Sequence, residues 1–196
     1  RLHGATGIAC FLLNLFGRTG KARYRDSALQ ALRWLETRVA AANEGEVGPG
    51  LYGGRGGLAY IYGRAAAVTG NAALLHRAEE HARAAAAAET EWTELLFGTA
   101  GVGLLLLTMH RATAGGDYLA EAEKAGDTLL RLAEPVGAGC RWHIHTQPPE
   151  DPRNRCFTGM AHGAAGIGCF LVDLFRATHE PRFAAGARAA ARRLLE

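Results

Sequence analysis

The chain has 196 residues, 48% of them hydrophobic, and a formal net charge of +3, enough apolar material for a core that folds without staples. Its basic residues, such as Arg18, Arg23, Arg25, Arg33 and Arg38, are scattered along the wet side of helical patterns, which argues against a nucleic-acid partner. Cys10, Cys140, Cys156 and Cys169 form no CxxC motif, and neither a signal peptide nor the ~20 apolar residues of a membrane span is visible, so reduced thiols in a cytoplasmic protein are expected.

The chain opens on "LHGATGIACFLLNLF" and returns to that phrase at its end, where His162–Phe175 matches His3–Phe16 at ten of fourteen positions. Taken in order, an apolar helix is predicted over Ala5–Phe16, a turn in "GRTGKARYRDSA" and an amphipathic helix over Arg25–Ala41. The second unit begins in "YGGRGGLAYIYGRA", with an apolar helix over Gly57–Thr69 and an outer one over Ala72–Ala88. The third begins in "ETEWTELLFGTAGVGLLLLTM", with helices over Ala100–Thr113 and Asp117–Leu132. "CRWHIHT" reads as a short extended piece, and the fourth unit places helices over Ala165–Thr178 and Arg182–Glu196. The repeats therefore fall near 1–45, 50–90, 94–135 and 156–196, and the start and stop inside repeat patterns suggest a portion of a longer chain.

Each unit pairs a helix apolar nearly all round, which must be buried, with one that has a single wet face. Repeating that pair predicts an all-α protein with two layers of helices, an α/α toroid or an open solenoid arc. Each inner helix is preceded by Gly-x-x-Gly, beginning at Gly4, Gly54, Gly98 and Gly163. Because the motif recurs in every unit and no strand precedes it, it reads as a close-packing device and not as a phosphate loop. The positive ends of the inner helices are expected to face a common basin. Polar residues just ahead of the glycines are then the site candidates: His162 and Glu94 for proton transfer, with His3, Tyr52 and Arg55 as substrate-binding residues. Cys10 and Cys169, at equivalent points of apolar helices, read as buried core thiols.

"GMAHGAAGIGCFLVDLFRATHEPRF" resembles the fourth-repeat signature of the lanthionine synthetase C-like (LanC-type) cyclase family, "GLYGGRGGLAYIYGRAAAVTGNAALL" its second and "TELLFGTAGVGLLLL" its third. The resemblance covers essentially the whole chain. It implies an α/α toroid of seven hairpins, of which about four are present here. It also implies a zinc enzyme that joins peptide cysteine thiols to dehydroalanine or dehydrobutyrine, forming lanthionine thioether rings. By that resemblance His162 takes the family's proton-transfer role, and Glu94 stands where the family usually has Asp. The implied partners are a precursor peptide and the remainder of the synthetase or a dehydratase or kinase.

The family's zinc phrases, Trp-Cys-x-Gly and Cys-His-Gly, do not occur in this chain. Cys140, His143, His145 and Cys156 offer suitable ligand types for a substitute site, but their pattern also fits an ordinary amphipathic hairpin with Trp142 and Ile144 on its other face. Two other readings stand beside the cyclase: a zinc-free module that binds peptide without catalysis, and a carbohydrate-active α/α barrel. The last needs paired carboxylates, and Glu94 has no evident acidic mate.

Overall fold

The fold was obtained as a computed structural model, which describes residues 3–43, 46–113, 117–145 and 155–195. Among these, eight helices occur in the expected order: α1 (His3–Thr19), α2 (Ala22–Ala40), α3 (Arg55–Thr69), α4 (Ala72–Ala87), α5 (Thr99–Ala112), α6 (Tyr118–Arg131), α7 (Ala164–Thr178) and α8 (Pro181–Arg193). Each odd helix packs against the even helix that follows it, and the odd helices also pack on one another in series, α1 on α3, α3 on α5 and α5 on α7. The result is the all-α, two-layer hairpin architecture that the repeat implies. Its core runs along the inner layer through Leu13, Leu58, Ile61, Leu105, Leu106, Phe170 and Leu174, with Leu32, Leu35, Leu129 and Phe183 closing it from the outer helices.

The turn between the helices of a pair repeats in chemical detail. Thr19, Thr69 and Thr178 end their inner helices with the hydroxyl donating to the carbonyl four residues earlier and accepting the N–H two residues later. The residue after each threonine is left-handed: Gly20, Gly70 and, without the freedom of glycine, His179. This left-handed cap satisfies an orphan carbonyl at the helix end and turns the chain outward. Asn71 then caps α4, its side chain accepting the Ala73 N–H at 3.0 Å.

The Gly-x-x-Gly motif does pack backbone closely, but the close partner is the loop just ahead of the same helix. In the third unit the N–H groups of Thr99, Ala100 and Gly101 donate to the carbonyls of Trp92, Thr93 and Glu94, each seven residues earlier. Arg55, Gly56 and Gly57 do the same to Gly48, Pro49 and Gly50, while Ala164 and Ala165 reach Phe157 and Thr158. A Cβ on Gly98 would sit 2.5 Å from the Trp92 carbonyl oxygen, so the wrapped loop excludes any side chain there. This corrects the expectation of positive helix ends facing a basin, because the loop carbonyls already occupy the free N–H groups.

A second correction concerns burial. The inner helices are not covered all round: the residue six past the first glycine of each Gly-x-x-Gly motif lies on an open face. Cys10 is half-buried, Tyr60 and Cys169 are exposed, and Leu104 is partly covered at those positions. Cys169 is therefore not a core group and Cys10 packs only at the edge of the core, because the inner layer lines an open side of the arc. Ile8 and Phe11 of α1 are also open, at 60% and 63% exposure.

Among the described residues, the first part of the link between the third and fourth pairs is extended, as "CRWHIH" suggested, and the extended chain begins earlier than expected. β1 (Glu134–Val136) pairs antiparallel with β2 (Gly139–Arg141) in the register Glu134–Arg141 and Val136–Gly139. β1 gives little sequence signal because its three residues include Pro135. Beyond β2 the pleat alternates: Cys140, Trp142 and Ile144 are buried while Arg141 is exposed.

On the outer layer, His81 of α4 is nearly enclosed between Glu36 of α2 and Arg55 of α3. Its Nε2 lies 3.4 Å from a Glu36 oxygen, its Nδ1 lies 3.4 Å from an Arg55 nitrogen, and Tyr62 stacks on its ring. Burial holds the His81 pKa below the ordinary histidine range, with Arg55 and Arg77 adding to the effect and Glu36 opposing it.

Two outcomes are expected. Gly98→Ala destabilises the fold by about 1–3 kcal/mol through overpacking, whereas Gly17→Ala, in a helix with open space around it, stabilises by about 0.5–1 kcal/mol; urea unfolding of the two variants checks the contrast. For His81, the unfolded chain binds its proton before the folded one does. Stability is therefore full above the ordinary histidine range and declines as pH falls through it. Thermal unfolding from neutral to mildly acidic pH should show that decline, and His81→Gln should flatten it.

Candidate functional site

Among the described residues the buried polar side chains are His81, Thr93 and Glu94. Two of them are consecutive in "WTELLFG", a polar pair inside an otherwise apolar loop. The wrapping of that loop over the start of α5 turns the Glu94 side chain inward. Its Oε2 accepts the Leu96 N–H at 2.9 Å and its Oε1 accepts the Phe97 N–H at 2.6 Å. A fully enclosed carboxylate is costly unless its lone pairs are met, and two backbone donors meet half of them.

His162 supplies the third contact. Its Nδ1 lies 2.9 Å from Glu94 Oε2, and its side chain is 41% exposed while that of Glu94 is fully buried. A carboxylate only accepts, so Nδ1 carries the proton of this bond and Nε2 is the nitrogen left for other chemistry. The Phe97 and Phe157 rings stand 6.5 and 6.3 Å from the imidazole, one from the Glu94 loop and the other from the His162 loop. The arrangement is a buried anion orienting a reachable imidazole between two aromatic rings.

The repeat explains why these two residues meet. Glu94 is four residues ahead of its N-cap glycine and His162 is one residue ahead of its own. Neighbouring loops interlock, with the Leu95 N–H donating to the Ala161 carbonyl at 3.3 Å. One unit earlier the same two positions hold Gly50 and Phe97. There a Cβ on Gly50 would lie 2.5 Å from the Phe97 Cα, so that joint has no room for a carboxylate.

The other candidates lie elsewhere. Arg55 is engaged with His81 on the outer layer. Tyr52, 57% exposed, lines a cavity of about 410 Å³ between α1, α3 and α5 together with Cys10, Tyr60, Ile61, Leu104 and Thr108. It is tied to the Glu94 loop by its N–H, which donates to the Leu96 carbonyl at 2.9 Å. The His3 side chain lies outside the described residues. Sequence reasoning missed Thr93, Phe97 and Phe157. Their signal was their fixed offset from the glycines, visible only when the loops are aligned on Gly98 and Gly163.

The residues that might have replaced the zinc ligands do not converge. Cys140 faces the core beside Trp142, with burial pushing its thiol up to about 11, the wrong direction for a metal thiolate. His143 takes the other side of the pleat, opposite Cys156 and 3.3 Å from Glu134, and the His145 ring lies tilted against Trp92. Among the described residues no group of three or more His, Cys, Asp or Glu side chains is arranged to hold a metal. Likewise no described helix is long and apolar enough to cross a membrane.

The family model described as lanthionine synthetase C-like protein matches residues 2–196. A search of curated proteins found no match.

Removing the carboxylate should cost the fold more than removing the imidazole. Glu94→Leu leaves the Leu96 and Phe97 N–H groups without an acceptor and should lose about 2–4 kcal/mol, whereas water replaces the half-exposed imidazole in His162→Ala at a cost of about 1 kcal/mol or less. Denaturant midpoints of the two variants measure the difference.

Proposed function

Because the chain belongs to the lanthionine synthetase C-like family, whose model spans residues 2–196, we propose that the Glu94–His162 pair moves protons during thioether ring formation on a dehydrated peptide. The observation that carries this reading is the 2.9 Å contact between a fully buried carboxylate and a half-exposed imidazole. The family generally binds zinc, which supplies activation of the thiol when bound; the described residues of this chain do not fit that ion, and no step here runs through it.

The proposed chemistry is conjugate addition. The cysteine thiol gives its proton to His162 Nε2 and the sulfur bonds to Cβ of dehydroalanine or dehydrobutyrine. The π pair moves toward the carbonyl as an enolate, and the same proton returns from Nε2 to Cα. Atoms and charge balance, and one imidazole serves as base and then acid. Glu94 keeps Nδ1 protonated and the ring oriented, leaving Nε2 to take and return the proton. Phe97 and Phe157 give the alkene an apolar flank. The substrate in this reading is a precursor peptide already dehydrated by a partner dehydratase or kinase.

A second reading, a peptide-binding module without catalysis, is favoured by the lack of a metal-holding cluster among the described residues. The two separate in one assay. The chain is incubated with a peptide carrying a cysteine and a dehydroalanine, and ring closure is read as loss of alkylatable thiol at unchanged mass. The cyclase reading expects closure faster than in buffer and a ~100- to 10,000-fold loss in His162→Ala. A peptide that binds but keeps its thiol at the buffer rate selects the binding module.

A further inference from the structure

The loops that carry Glu94 and His162 are joined by a third segment that neither the repeat nor the chemistry of the pair requires. Residues 143–145 lie between them as the middle strand of a short, irregular ribbon. On one side the Thr93 N–H donates to the Ile144 carbonyl at 3.0 Å and Trp92 bridges His145, their rings 4.1 Å apart. On the other side the Ile144 N–H donates to the Arg155 carbonyl at 2.9 Å and His143 bridges Cys156, one residue before Phe157. The far end of the strand is fixed to the outer layer. The Trp142 indole N–H donates to the Leu129 carbonyl of α6 at 2.7 Å, and Gly139 lies against the backbone of Ala189 and Arg193 in α8.

Within this ribbon the side-chain hydroxyl of Thr93 donates to the His143 carbonyl at 2.7 Å, and Thr93 is only 2% exposed. Its own carbonyl receives the Ala100 N–H of α5. Thr93 is thus the residue at which the start of α5, the middle strand and the Glu94 peptide are held together. We propose that Thr93 is a positioning residue for the Glu94–His162 pair, its hydroxyl locking strand 143–145 so that the two loops keep carboxylate and imidazole in hydrogen-bonding register. The purpose of that register rests on the proposed function, but the register itself is read without substrate.

The test follows the Nδ1–H proton of His162 by NMR in histidine-labelled protein, with helix content monitored by circular dichroism. Wild type should show an Nδ1–H resonance protected from water, assigned by its loss in His162→Ala. Thr93→Val keeps the shape and removes the donor; with helix content unchanged, exchange of that proton should quicken by ~10-fold, the equivalent of one lost hydrogen bond. Thr93→Ser restores a hydroxyl and should return exchange to within about twofold of wild type. Wild-type exchange in Thr93→Val overturns the proposal. So does equal acceleration in the Val and Ser variants, which would assign the effect to packing, or an unprotected Nδ1–H in wild type. Failure of wild type to close rings overturns the cyclase reading and leaves this result standing.

Discussion

Two or three hydrogen bonds from the first turn of an inner helix to carbonyls seven residues earlier, seen in α3, α5 and α7, are the constraint on which the rest depends. A helix start carries N–H groups without intrahelical partners, and here the chain satisfies them with its own preceding loop. That choice demands glycine at the N-cap and three residues on, because both positions lie under the loop backbone. It also fixes the loop as a rigid object. A residue one or four places ahead of the glycine has a defined direction and a defined neighbour in the next unit, and the site is built from those two places.

Burying Glu94 is energetically demanding, and the loop is arranged to meet the demand. Two backbone donors from the same loop and one imidazole from the next surround the carboxylate. The anion is enclosed while its partner remains reachable, which is the order expected if the imidazole works and the carboxylate orients. His81 shows a contrasting use of the same residue type. Enclosed between Glu36 and Arg55, with burial disfavouring its charged form, it belongs to the packing of the outer layer.

Periodicity made the helices legible because an inner and an outer helix differ so strongly in apolar pattern; α3, for instance, ends at Thr69 as expected and begins at Arg55, two residues early. Glu94 and His162 were legible as polar residues beside repeated glycines, and the structure brings them together. What could not be read was partnership. Nothing in "WTELLFG" states that Thr93 contacts residue 143, because that contact runs through a crossover rather than through the repeat. The open face at Cys10 and Cys169 was misread for a related reason: apolar composition records which helices are inner, but not which of their faces a neighbour covers. Arg55 was placed at the right helix end, yet its long side chain reaches the outer layer.

At the joint between the second and third units, Gly50 lets the backbone of one loop settle against Phe97 of the next. At the following joint the equivalent residue is a glutamate whose side chain must be housed. The carboxylate is turned inward and anchored by two N–H groups of its own loop and the imidazole of the next, while the two loops stay joined through Leu95 and Ala161. Duplication alone would have produced identical joints. A single residue that cannot fit the joint one unit earlier sets this one apart, and the broken symmetry of the repeat marks the place where Glu94 and His162 meet.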